Sequence, residues 1–358
     1  MSGAGTGTGA GPVRHGEATL RHLLAADITP HLAHADTEEV VANAPGRILV
    51  ERDGRWTEHD APSLTPDTLQ AIGHLAAFLR GKDIGPESSW QCSTSLPDGE
   101  RLKITFPPAS STVTASIRKR AATFRPTLRW LDERGYFSAL RPSRDWVAYF
   151  EGCIARRWTA LICGEIGGSK TTFAEALLCS TGLNERHVTI ERGPEWTQLP
   201  HRNLLQYYFN DNDPDSAAMR IQDTMQSRPD WTHFQELQGP ESFFWKRLLR
   251  IGVPGYCTVH APDVRLALAA VATMQQQSPH ARGTPSEILE AELRQYVRCI
   301  ARAAKFAPRR DGERKHYRLV QVLELGVTPD RDRMVGEATP ESLAESFERC
   351  GAAPRAAP

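Results

Sequence analysis

The hydrophobic pattern divides the chain into a tail, two structured regions and a second tail. Residues 1–14 carry no apolar period and read as a disordered Gly/Thr/Ala tail. Leu20, Leu23, Leu24, Ile28 and Leu32 recur at helical spacing and predict a helix that ends near Pro30. Two short runs, 46–52 and 55–58, flank Asp53-Gly54 and predict a β-hairpin. Thr65 and Pro66 predict a capped helix through Leu79. The runs 90–96 and 101–106, joined by Pro97-Asp-Gly-Glu, predict a second hairpin, and 111–118 a further strand. Residues 15–122 therefore read as a small α+β domain. A linker with a helix over 124–137 follows, across 123–143.

From residue 144 the pattern changes. A helix is predicted over 145–155. Strands at 187–191, 230–236 and 255–260 then alternate with helices over 217–227, 240–251, 264–277 and 285–299, and a late strand covers 315–325. Such alternation predicts a mostly parallel α/β sheet across 144–345. In such sheets ligands sit at the C-terminal strand ends. Residues 346–358 read as a loose tail.

Within this second region, Trp158–Leu178 carries the sharpest chemical signal. The apolar run Ala160–Cys163 reads as a buried strand, Gly164–Ser169 as a Gly-rich turn, and Lys170-Thr171-Thr172 as the start of a helix. Strand, glycine loop, Lys-Thr and helix is the layout of a phosphate-binding loop. Backbone N–H groups and the helix dipole favour an anion there. Gly164, Gly167, Gly168, Ser169 and Thr172 would line the cradle, Lys170 would reach the phosphates, and Thr171 would offer its hydroxyl to Mg²⁺. Ser169 stands where the pattern has a second glycine.

Two predicted strands end in carboxylates, Glu191 and Glu236. Nucleotide hydrolysis uses such acids to hold Mg²⁺ and orient water. His260 ends a third strand and could sense a phosphate by hydrogen bonding, or simply close the sheet. Arg118-Lys-Arg ends the first domain's last strand and reads by default as a solvated charge run.

Charge narrows the partners. The 43 basic and 43 acidic side chains cancel, which argues against nucleic acid as a direct general partner. No apolar run has the length of a membrane span, and the N-terminus lacks a signal-peptide pattern. Seven dispersed cysteines without a CxxC pair predict free thiols and no zinc site.

With these residues in place, about 18–345 resembles the VirB11 family of secretion ATPases, within the traffic ATPases that power type IV secretion, type II secretion and type IV pili. Asn43–Trp56, Leu96–Arg101 and Ala115–Lys119 resemble its N-terminal domain. Val188–Glu191 with Pro194-Glu195 and Leu199–Asn203 resembles its acidic box, Arg228–Glu236 with Gly239 and Glu241 its Walker B region, and Gly252–Ala261 its histidine box. The resemblance implies a RecA-like P-loop C-terminal domain behind the smaller N-terminal domain. It implies a homohexamer that binds ATP and Mg²⁺ and sits on the cytoplasmic side of the bacterial inner membrane, docked to other type IV secretion components. Carried over residue by residue, it makes Lys170 and Thr171 phosphate and Mg²⁺ ligands and Glu191 a helper for Mg²⁺ or water. Glu236 becomes the Walker B glutamate, His260 the box histidine, and Arg118 an arginine able to face nucleotide. The departures are Ser169, Arg192 for an aspartate, Gln226 and Gln238 for arginines, Gln235 for a glycine and Val253 for a histidine. Lost arginines weaken transition-state stabilisation, so a weakened catalyst or a structural ring subunit is the alternative reading, beside a pilus or type II motor.

Overall fold

A computed structural model describes residues 10–52, 55–119, 125–196, 198–209, 215–307 and 315–350. They form two compact units, one up to residue 119 and one from 125 onward.

The first unit runs α1 (Ala10–Leu24), α2 (Thr29–Ala33), β1 (Thr37–Ala44), β2 (Gly46–Arg52), β3 (Arg55–Ala61), α3 (Pro66–Phe78), β4 (Gln91–Ser95), β5 (Arg101–Thr105) and β6 (Thr114–Arg118). Its six strands form an antiparallel sheet in the order β3-β2-β1-β6-β5-β4. Arg52 pairs with Arg55, so the predicted hairpin closes across residues 53–54, which lie outside the described residues. Thr65 caps α3 by accepting a hydrogen bond from the Thr68 amide at 3.1 Å. Leu20, Leu24, Leu69, Ile72 and Ala76 from the helices share one core with Val40, Val50, Ile104 and Ile117 from the strands.

The N-terminal helix differs from its prediction at both ends. It starts at Ala10, inside the expected tail; residues 1–9 lie outside the described residues. Pro30 opens α2 instead of ending α1, because its fixed φ and missing N–H suit a first turn. Strand β1 carried no alternation strong enough to predict it.

The second unit runs α4 (Leu128–Glu133), β7 (Leu140–Arg141), α5 (Trp146–Ala155), β8 (Thr159–Gly164), α6 (Lys170–Cys179), β9 (Arg186–Glu191), β10 (Asn203–Tyr208), α7 (Ser216–Gln226), β11 (Trp231–Leu237), α8 (Glu241–Arg250), β12 (Tyr256–Val259), α9 (Ala267–Gln276), α10 (Ser286–Arg294), β13 (Val297–Phe306), β14 (His316–Glu324), β15 (Arg333–Ala338) and α11 (Pro340–Cys350). The sheet order is β10-β9-β11-β12-β8-β13-β14-β15-β7. The run from β10 to β13 is parallel, whereas β14, β15 and β7 are antiparallel. The sheet is therefore mostly parallel, with an antiparallel flank that the sequence pattern did not reveal.

Both faces of this sheet are covered. Ala160 and Ile162 of β8 join a core with Phe150 and Phe173 of α5 and α6, while Leu161 and Cys163 face Trp245 and Val271 of α8 and α9. A strand buried on both faces explains the unbroken apolar run 160–163. Three expectations are corrected here. The linker helix is only Leu128–Glu133. The helix expected to run to Cys299 ends at Arg294, and Cys299 lies in β13. Helix α11 continues to Cys350, into the segment expected to be loose.

Candidate functional site

Strand β8 ends at Gly164, and the chain turns through Glu165–Ser169 before α6 begins at Lys170. Gly164 has φ +145°, and a Cβ there would lie 2.1 Å from the carbonyl oxygen of Ala303 on β13. Glycine is therefore required by the neighbouring strand as well as by the turn. Ser169 occupies the left-handed region at φ 68°, ψ 19°. This is the physical reason for a glycine at that position: the loop demands a positive φ, which costs a side-chain-bearing residue about 1–2 kcal/mol. The Ser169 hydroxyl is anchored, contacting Tyr136 Oη at 3.1 Å and donating to the Gly168 carbonyl.

The arrangement fits a nucleotide phosphate. The first turn of α6 has no side-chain cap, so its N–H groups are not held by Ser169, and the Lys170 ammonium is buried beside it, only 6% exposed. Lys170 Nζ donates to the Glu165 carbonyl at 2.8 Å, lies 3.2 Å from His260 Nδ1 and is 4.0 Å from Glu236 Oε1. His260 Nε2 is 2.8 Å from that same Glu236 oxygen. Gln238 donates to the other one, Oε2. In the neutral ring, Nδ1 accepts from the ammonium, which can only donate, and Nε2–H donates to the carboxylate. Lys170, Glu236 and His260 thus form one cluster at the C-terminal ends of the adjacent strands β8, β12 and β11. Thr171 and Thr172 follow in the first turn of α6, both half-buried. A hydroxyl and a carboxylate are oxygen donors of the kind Mg²⁺ takes alongside phosphate and water. Among the described residues, no three His, Cys, Asp or Glu side chains gather to hold a metal by themselves.

Glu191 is placed differently. Strand β9 is three positions from β8 in the sheet, about 14 Å at the usual strand spacing. The Glu191 carboxylate is fully buried and accepts from Thr189 Oγ1 at 2.6 Å, the Glu195 and Trp196 amides at 2.9 Å each and Gln206 Nε2 at 3.1 Å. Burial nevertheless pushes its pKa above the usual carboxylate range. It fastens the turn after β9, and the structure does not bring it to the Lys170 cluster. Arg118 lies exposed at the end of β6 in the other unit.

Two residues missed in the sequence stand at the loop. Tyr136 follows α4 with no periodic signal to mark it. Lys305 is the penultimate residue of β13, a strand of which only the first three residues fall within the helix expected over 285–299, and its Nζ lies 3.4 Å from where a Cβ on Gly167 would be.

Together, the doubly covered parallel sheet and the loop at its central strand define a phosphate-loop protein of the α/β class. No protein-family model matches the chain. It is similar to the type IV secretion system protein VirB11 of Brucella suis, 27% identical over 292 residues that cover 74% of this chain and 80% of that protein. It is 30% identical over 267 residues to the protein VirB11 of Agrobacterium fabrum, covering 67% of this chain and 77% of that protein. Its fold is similar to that of the Legionella pneumophila ATPase DotB, with a TM-score of 0.58 at 14% identity, covering 93% of this chain and 87% of that one. The chain belongs to the VirB11 family.

Proposed function

We propose that the chain is a Mg²⁺-dependent ATPase of a type IV secretion system, working as a homohexamer on the cytoplasmic face of the bacterial inner membrane with other components of that system. Membership of the VirB11 family supports the setting. The observation that carries the chemistry is the Lys170–His260–Glu236 cluster beside the glycine loop. Lys170 neutralises phosphate charge from within the buried first turn of α6. Glu236 accepts a hydrogen bond from the attacking water and orients it. His260 bridges the two and couples phosphate contact to the position of the carboxylate. Thr171 and Glu236 would hold a Mg²⁺ ion brought with the nucleotide, and the ion would supply further charge neutralisation. Glu191 acts in this reading as a structural carboxylate. A nucleotide-facing role for Arg118 would rest on the family resemblance alone.

The test is steady-state hydrolysis of Mg²⁺-ATP by the purified chain beside Lys170→Ala. Turnover in the first and none in the second supports the motor. A second reading, a ring subunit that retains the fold without turnover, is favoured by one observation: Ser169 holds a left-handed backbone where glycine is unstrained. Assembled rings that neither bind nor hydrolyse ATP would establish that reading.

A further inference from the structure

The phosphate loop is bordered by two ammonium groups, and only one belongs to the Walker motif. Lys170 approaches from the β12 side, where it meets His260 and Glu236. Lys305 approaches from the opposite side, from β13, whose parallel pairing with β8 sets Ala303 beside Gly164. Two residues further along β13, the Lys305 ammonium reaches the exposed Gly167, at 3.4 Å from an ideal Cβ there. Gly167 has φ +70°, so the loop turns its backbone at the point where this charge arrives.

The position of Lys305 is fixed by its backbone. Its N–H donates to Glu165 Oε1 at 3.1 Å, tying the strand to the loop, and it pairs with Tyr317 on β14. A side chain launched from a paired strand is aimed more narrowly than one on a free loop. Among the described residues, no carboxylate lies within 4.0 Å of its ammonium, in contrast to Lys246, which pairs with Glu292. A half-buried cation here adds positive charge beside a loop whose backbone is shaped for anions.

We propose that Lys305 is a second phosphate-binding cation of this site, contacting the nucleotide's phosphates from the β13 side while Lys170 contacts them from the β12 side. This rests on the nucleotide-binding reading given above. Its chemical sense lies in the charge balance. Gln238 is engaged with Glu236, and Gln226 ends α7 as an uncharged residue, so neither of these glutamines brings positive charge to the phosphates. A strand-borne lysine supplies part of the charge that the sequence pattern otherwise lacks. Unlike an arginine, it makes a point-charge contact and needs no bidentate geometry.

The experiment is equilibrium binding of ATP to the full chain, by calorimetry, for the unsubstituted protein, Lys170→Ala, Lys305→Gln and Lys305→Arg, with thermal unfolding recorded for each. Lys305→Gln is expected to weaken ATP binding about tenfold, the loss of one charge-assisted hydrogen bond, without lowering the unfolding temperature. Lys305→Arg, which keeps the charge, is expected to recover most of that affinity. ATP affinity within twofold of the unsubstituted protein for Lys305→Gln, with Lys170→Ala still losing binding, overturns the role of Lys305 and leaves the nucleotide site standing. Equal weakening by the Gln and Arg variants also overturns it, since charge would then not be the cause. No ATP binding by the unsubstituted chain, or full binding by Lys170→Ala, overturns the nucleotide site itself and this inference with it.

Discussion

The hydroxyl of Tyr136 lies 3.1 Å from that of Ser169, the residue that holds the phosphate loop in a left-handed turn. Tyr136 is itself buried, packed among Phe137 and Phe173, and burial raises its phenol pKa well above the usual value. The phenol therefore stays protonated and available as a hydrogen-bond partner. It offsets part of the conformational cost of a serine where glycine would be unstrained.

This relationship predicts a double-mutant cycle. Ser169→Gly relieves the left-handed strain and is expected to change stability by no more than about 1 kcal/mol, because glycine also gains entropy in the unfolded chain. Tyr136→Phe is expected to cost about 1 kcal/mol with Ser169 present and almost nothing once Ser169→Gly has removed the partner hydroxyl. Urea unfolding of the four proteins gives the coupling. Additive effects would mean that the hydroxyl contact contributes nothing.

Glu236 and His260 share a contact of 2.8 Å next to Lys170. If Glu236 orients the water, Glu236→Gln keeps the shape but removes the charge and exchanges one acceptor oxygen for an N–H donor. Hydrolysis is then expected to fall on the order of 100-fold or more while ATP affinity stays within severalfold. A parallel loss of affinity and turnover would assign Glu236 to binding alone.

For Glu191 the expectation is opposite. Its carboxylate collects hydrogen bonds from two side chains and two amides in the buried turn after β9. Glu191→Ala strands those donors, so it is expected to destabilise the fold by roughly 3 kcal/mol. Its effect on turnover per folded molecule should be small. Stability unchanged with turnover lost would return Glu191 to the chemistry.

Acid sensitivity should arise elsewhere in the sheet. His187, His201 and His233 are buried together, with the His187 and His201 rings 3.7 Å apart and His187 Nδ1 3.3 Å from His233 Nε2. Burial pushes all three below the ordinary histidine value, His201 to about 4. The sign follows from proton binding. Below about pH 6.5 the unfolded chain takes up protons at these rings and the folded chain does not, so stability falls as pH falls. For His201, between about pH 6.5 and about 4, this removes up to about 1.4 kcal/mol per pH unit; His187 and His233 act in the same direction. His201→Gln should flatten the unfolding temperature between pH 7 and 5; an unchanged slope would acquit that ring.

Much of the site was legible because its signals are local. A glycine turn between an apolar run and a Lys-Thr helix start specifies the loop, and Thr65-Pro66 specifies the start of α3. What the sequence hid depends on distant pairing. Strand β13, VRCIARAAKF, mixes strand-favouring Val, Ile and Phe with Arg, Ala and Lys that favour helices, and its place between β8 and β14 decides the outcome. Strand β7 has two residues and no pattern at all. The strand-end position of Glu191 was readable, but the direction of its carboxylate is set by the turn that follows. One family departure has a local use: Gln235 Oε1 accepts from the backbone N–H of residue 192 at 2.8 Å, a contact that a glycine at 235 could not make and that does not depend on the side chain at 192.

The carbonyl of Ala303 beneath Gly164 has a consequence for biosynthesis. The wall of the phosphate loop is translated long after the loop itself, and β7, near the start of the second unit, is clasped by β15, near the chain's end. A nascent chain halted before β13 has the whole glycine motif but not the strand that gives it shape. On the proposed function, competence to hold nucleotide would wait for β13 to be made.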